Sequence, residues 1–179
     1  EELIVQGQQK QLLSFTTNLA DVLPHVQVIF CAVATPPGEA HKADLTAVFA
    51  VAKQVAETMD HDLVFVNKST VPVGTGKKCE EMMREILQQR GANLNVAVIS
   101  NPEFLREGFA VADTLAPERI VVGSNGNTWA QELMEELYRP ITRVGKPLLV
   151  MSRESAEIVK YASNAFLATK ISFINMLSE

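Results

Sequence analysis

The sequence predicts an α/β fold: a mainly parallel sheet with helices on both faces, a three-layer sandwich, running into a long helix. Three observations carry this. Short apolar runs rich in β-branched residues recur along the chain, too continuous for strands with one wet face. Segments of helical period separate them at crossover spacing. Hydroxyl, proline, glycine and glutamate residues gather where the first three runs end, the place where open α/β sheets keep their chemistry.

The elements follow in order. The opening "EELIVQGQQKQLL" reads as a helix, and without an initiator Met the chain is expected to be a piece of a longer protein. "VQVIFCAVAT" (26–35) is a strand buried on both faces. Asp44 suits an N-cap ahead of the helical "LTAVFAVAKQVAETM". "DLVFVNKST" (62–70) is a second strand. "KKCEEMMREILQQR" is a helix closed by Gly91. "NVAVIS" (95–100), "RIVVGS" (119–124) and "PLLVMS" (147–152) are three more strands. Between the last two lies a helix capped by Asn127 or Thr128. Ser152 caps the final helix. That helix is apolar around most of its circumference, from Ile158 to Leu177, so it is expected to be buried or to form an interface.

Composition sets the outer bounds. The 179 residues suit one domain with part of a second, and 47% hydrophobic content supplies a core. A net charge of −5 gives no electrostatic case for nucleic acid. No apolar run is long enough for a membrane span, and no signal peptide is visible. Cys31 and Cys79 form neither a disulfide framework nor a metal motif, and a cytoplasmic location is expected. His25, His41 and His61 are scattered without metal-ligand spacing.

Three segments are expected to line one crevice: "ATPPG" (34–38), "KSTVPVGTGKK" (68–78) and "NPEFLREG" (101–108). Thr35 can donate to a phosphate or ribose, although Pro and Gly are also ordinary turn residues. The second segment leads into a helix N-terminus, an anion site by its free N–H groups, or simply a helix capped by Thr75. It is not a Walker A loop, because Val71 stands where the first glycine would. Cys79 breaks the dinucleotide fingerprint in the same way. In the third, Pro102 would start a helical turn with Glu103 and Glu107 on one face. Paired carboxylates can divide proton transfer and water positioning between them. On composition alone a solvated turn is the better reading of that pair. Lys160 and Asn164 share a face of the last helix; a lysine there is paired, used, or snorkelling. Cys31 reads as a small core residue, and Cys79 lacks a histidine partner for nucleophilic chemistry.

Four segments together carry a resemblance: "FCAVATPPGE", "KSTVPVGTGKK", "SNPEFLREGFAVADTLAPERIVVG" and "SAEIVKYASNAFLATKISFINMLSE". In order and spacing they resemble the UDP-glucose/GDP-mannose dehydrogenase family, from about Phe15 to the end, and lean toward its UDP-glucose branch. The resemblance implies a Rossmann-like nucleotide domain, partial over 1–151, and the start of a central, dimer-forming helix over 152–179. It implies an NAD-dependent enzyme that oxidises the sugar C6 alcohol of UDP-glucose to the carboxylate in two hydride transfers, through a cysteine-bound thiohemiacetal and thioester. Val33, Thr35, Pro36, Ser69, Thr70, Val71 and Glu107 would meet NAD. Thr70 would also order the catalytic water, and Glu103 would be the acid/base. Phe104, Leu105 and Arg106 would lie on the substrate side. Lys160 and Asn164 would stabilise the oxyanion and hold the sugar. The family's glycine fingerprint is expected before Glu1 and its cysteine segment after Glu179, so these residues alone are expected to be inactive. UDP-glucose and a second copy are the expected partners, with no nucleic acid and no membrane. GDP-mannose or UDP-N-acetylmannosamine specificity, or a non-catalytic nucleotide-binding module, are the alternatives.

Overall fold

The computed structural model describes residues 2–38 and 42–178, so His41 lies outside the described residues. Five strands form one sheet in chain order: β1 (Val28–Cys31), β2 (Leu63–Asn67), β3 (Val96–Ser100), β4 (Ile120–Gly123) and β5 (Leu148–Met151). β1, β2 and β3 run parallel, and so do β4 and β5. β3 and β4 meet antiparallel at one pair, Ser100 with Gly123. The α/β expectation therefore holds, with one reversal inside the sheet. Residues 101–119, which join those strands, carry only the six-residue helix α4 (Ala110–Leu115) in place of a full crossover helix. Periodicity had given no signal for α4.

β2, β3 and β4 are buried along their whole length, as continuous apolar runs require. Side chains alternate between two cores. Leu63, Phe65, Val96 and Val98 pack with α2 (Thr46–Thr58) and α3 (Thr75–Gln89). Val64, Val66, Ala97, Ile99, Ile120 and Val122 pack with α5 (Thr128–Thr142) on the other face. The opening helix α1 (Glu2–Gln9) buries none of its residues.

The expected caps are largely present. Asn127 Oδ1 accepts the Ala130 N–H at 3.0 Å, and Ser152 Oγ accepts the Ser155 N–H at 3.1 Å. The cap position of α2 is Leu45 rather than Asp44, whose Oδ1 accepts the Thr46 N–H at 2.9 Å from one residue further out. Gly91 ends α3 in the left-handed region at φ 64°. Thr75 is different. It is the first residue of α3 and its hydroxyl donates back to the Pro72 carbonyl at 2.6 Å, while the cap position is Gly74 at φ 90°.

The last helix, α6 (Arg153–Ser178), buries Arg153, Ala156, Glu157 and Lys160 against β3, β4 and α3. Its start lies so close to β4 that a Cβ on Gly123 would sit 2.7 Å from Arg153 Cα and 2.8 Å from Ala156 Cβ. Beyond Tyr161 the expected burial is not found within this chain. Phe166, Leu167, Ile171, Phe173, Ile174, Met176 and Leu177 are all exposed, because no element of the described residues extends that far along the helix.

Candidate active site

Register places the carboxyl ends of the three parallel strands side by side, with Cys31 opposite Asn67 and Asn67 opposite Ser100. The three segments singled out in the sequence leave the sheet there together. Hydroxyls tie the first two loops to each other. Thr35 Oγ1 donates to the Thr70 carbonyl at 2.9 Å, and Ser69 Oγ donates to the Val33 carbonyl at 2.6 Å. Val33 is half-buried, Pro36 is exposed, and the Val71 side chain belongs to the core.

Lys160 meets Glu103 at this edge. Its Nζ lies 2.7 Å from Glu103 Oε1, with the lysine side chain only 8% exposed and the glutamate 29%. An ammonium so buried is costly unless paired, and this contact is what pairs it. Burial pushes the Glu103 carboxyl up, but the Lys160 hydrogen bond, the Leu105 N–H and the charges of Lys160 and Lys68 outweigh it and hold the group below its usual range. Glu103 is therefore ionised at neutral pH. The Phe104 ring lies beside the pair, with Arg119 4.3 Å and Lys160 Nζ 5.6 Å from its centroid.

The expected helical turn at 101–108 is absent. Residues 101–106 are non-helical, and the chain turns only at 107–108, where Gly108 has φ 80°. The reason is local. Glu103 Oε2 accepts the Leu105 N–H at 2.6 Å, a bond that competes with helix formation, and Arg106 is drawn to Asp113, whose carboxyl it lowers to about 2. Glu103 and Glu107 therefore do not share a helix face. Glu107, Leu105 and Arg106 are exposed, and Glu107 makes no ion pair or side-chain hydrogen bond among the described residues. Asn164 is likewise exposed on α6, one turn past Lys160 and clear of the Glu103 contact.

The structure adds residues that sequence reasoning passed over. Lys68 Nζ donates to Asn101 Oδ1 at 3.2 Å, and Tyr138 Oη donates to the same oxygen at 2.6 Å. The Asn101 amide donates to the Val121 carbonyl at 2.7 Å, so the group is fixed from three sides. Burial lowers the Lys68 ammonium, with Lys160 acting in the same direction and Glu103 opposing. Lys68 and Asn101 open the segments at 68–78 and 101–108, but their roles depend on Tyr138 and Val121, distant in sequence.

The N-terminus of α3, one reading of which was an anion site, holds a side chain of the protein itself. Glu157 Oε2 accepts the Gly74 N–H at 2.6 Å and Oε1 accepts the Gly76 N–H at 2.8 Å. Ser100 Oγ donates to Oε1 at 3.2 Å. Beside it Arg153 pairs with Glu80 and donates to the Val98 carbonyl. The only signal was the position of Glu157, three residues before Lys160 on one helix face.

Neither cysteine is poised as a nucleophile. Both are buried, and burial pushes the Cys79 thiol up to about 11 and Cys31 up as well. An aromatic disulfide reagent at neutral pH is expected to leave both unmodified in the folded protein and to label two thiols after denaturation. Prompt labelling of native protein would contradict their placement.

No group of three or more metal-ligating side chains is found among the described residues. No helix among them is long and apolar enough to cross a membrane.

A mostly parallel sheet with a polar, charged edge at its strand ends is the architecture of a Rossmann-like nucleotide-binding domain. Residues 1–142 match the NAD binding domain of the UDP-glucose/GDP-mannose dehydrogenase family, and residues 154–179 match the family's central domain. The chain belongs to that family. It is 49% identical over 166 residues to the UDP-glucose 6-dehydrogenase of Pseudomonas aeruginosa, covering 93% of this chain and 36% of the relative. It is 42% identical over 182 residues to the enzyme of the same name from Rhizobium meliloti, covering 100% of this chain and 40% of the relative. Among solved structures, a UDP-glucose dehydrogenase from Pyrobaculum islandicum superposes with a TM-score of 0.88 at 36% identity over 98% of this chain and 40% of that one. A GDP-mannose dehydrogenase from Pseudomonas aeruginosa gives 0.86 at 30% identity, over 97% and 40%. The chain thus spans about two fifths of the length of the relatives it matches.

Proposed function

We propose that this chain supplies the nicotinamide-facing half of an NAD-dependent dehydrogenase that oxidises the C6 alcohol of UDP-glucose to UDP-glucuronate in two hydride transfers. The observation that carries the reading is the 2.7 Å Lys160–Glu103 pair at the strand ends, beside the 68–74 loop to which Thr35 is bonded. Glu103, ionised at neutral pH, takes the hydroxyl proton. The Lys160 ammonium stabilises the oxyanion that forms as the proton leaves. Bound NAD supplies the hydride acceptor. Phe104, Leu105 and Arg106 lie on the sugar side. Asn164, exposed one turn past Lys160, holds the sugar, and Thr70 orders water.

The residues fit one end of the cofactor better than the other. Thr35 and Ser69 have given their protons to carbonyls, so their oxygens are left as acceptors for ribose hydroxyls. Val33, Pro36 and the backbone at Thr70 and Val71 complete that surface, with Glu107 at its rim. The α3 amides are already bound to Glu157, which leaves the pyrophosphate to residues elsewhere. Residues 1–151 form part of the nucleotide domain and 152–179 begin the central helix, whose exposed apolar face pairs with a second copy in a cytoplasmic homodimer.

The test is NADH formation by the intact enzyme with UDP-glucose, GDP-mannose and UDP-N-acetylmannosamine in parallel. The expected result is turnover with UDP-glucose and at least tenfold lower kcat/KM with the other two, the least that one distinguishing set of contacts provides. Preference for either competitor would overturn the sugar assignment, and no NADH from any of them would overturn the enzyme reading.

A further inference from the structure

We infer that Glu157 is a positioning residue: its carboxylate, seated on the amino end of α3, sets where Lys160 stands. The inference rests on the role just given to Lys160. Glu157 is 3% exposed, and its two oxygens take three donors, the N–H groups of Gly74 and Gly76 and the hydroxyl of Ser100. A charge this deeply buried is held by such bonds and by the positive end of the helix. Lys160 follows three residues later on α6, one turn along the same face. The carboxylate therefore joins three parts: the 68–74 loop that faces the cofactor, the end of β3 that leads into Glu103, and the helix that carries Lys160.

The fit leaves little freedom. A Cβ on Gly76 would stand 3.1 Å from Glu157 Oε1, 3.1 Å from Ser100 Oγ and 3.3 Å from Arg153 Cδ. Glycine at 76 is what allows the carboxylate to reach both amides. Arg153 and Glu80 hold the preceding turn of α6 through their own ion pair, while Glu157 ties the next turn to the amino end of α3.

The test is a double-mutant cycle in the intact enzyme, with Glu157→Gln and Gly76→Ala each made alone and with Lys160→Ala. Gly76→Ala keeps the charge and crowds the carboxylate together with the Ser100 hydroxyl and the Arg153 side chain, so it reports even if Glu157→Gln folds poorly. Each is expected to lower kcat by roughly 10- to 100-fold with Lys160 present, the scale of an ångström-sized misplacement. Each should lower it by no more than about twofold once Lys160 is gone, because coupled residues are not additive. Equal losses in both backgrounds would give Glu157 a general structural role and overturn the inference while leaving the Lys160 assignment standing. Full activity of Lys160→Ala itself would overturn both.

Discussion

Lys160→Ala in the intact enzyme is expected to lower kcat by roughly 10²-fold or more, and Glu103→Gln by a comparable factor. The two losses have different origins. Removing Lys160 takes away the cation beside the developing oxyanion. Removing the Glu103 charge takes away the proton acceptor and leaves Lys160, with only 8% of its side chain exposed, beside a neutral amide. The pH dependence separates them. Because Glu103 is held below its usual range, the acid limb of the rate profile lies below an ordinary carboxylate, and Lys160→Ala moves that limb upward. Stability follows the same sign. The folded value is depressed, so the contribution of the pair is complete above the unfolded pKa of about 4.3 and is lost as pH falls through the folded value. Near-normal rates in both variants would remove the pair from the reaction.

Gly123→Ala has the largest expected effect on the fold. The added methyl would meet backbone at 2.7 Å, and backbone cannot swing aside as the end of a long side chain can. The start of α6 must then move off β4, at a cost of about 1–3 kcal/mol for overpacking. Because α6 carries Glu157 and Lys160, the shift also reaches the site, and an ångström there costs about 10²-fold in rate. Urea unfolding and kcat measured on the same variant check both halves. Unchanged stability would mean that α6 does not approach the sheet as described.

Much of this was legible in the sequence because the signals were local. Val64, Phe65 and Val66 form part of a run that only a strand with two covered faces explains, and Asn127, Ser152 and Gly91 carry their capping chemistry in their own side chains or φ angles. The parts that were not legible depend on partners distant in sequence. Pro102 and the two glutamates fit a helix start by composition, yet Glu103 is bound to the Leu105 N–H and to Lys160, 57 residues on, and the segment stays non-helical. The amino end of α3 looked free to take an anion because its occupant, Glu157, lies 81 residues beyond Gly76. The antiparallel meeting of Ser100 and Gly123 left no mark either, since a buried strand reads the same in both directions. The apolar girth of α6 was visible, but girth alone does not say which molecule covers it.

Glu103 and Lys160 form one ion-paired unit at the strand ends, and carbon-detected NMR titration of the Glu103 carboxyl tests whether they do so in solution. A pKa below that of an ordinary glutamate is expected in the native protein, rising when Lys160 is replaced by methionine. An ordinary value that does not move with the substitution would contradict it.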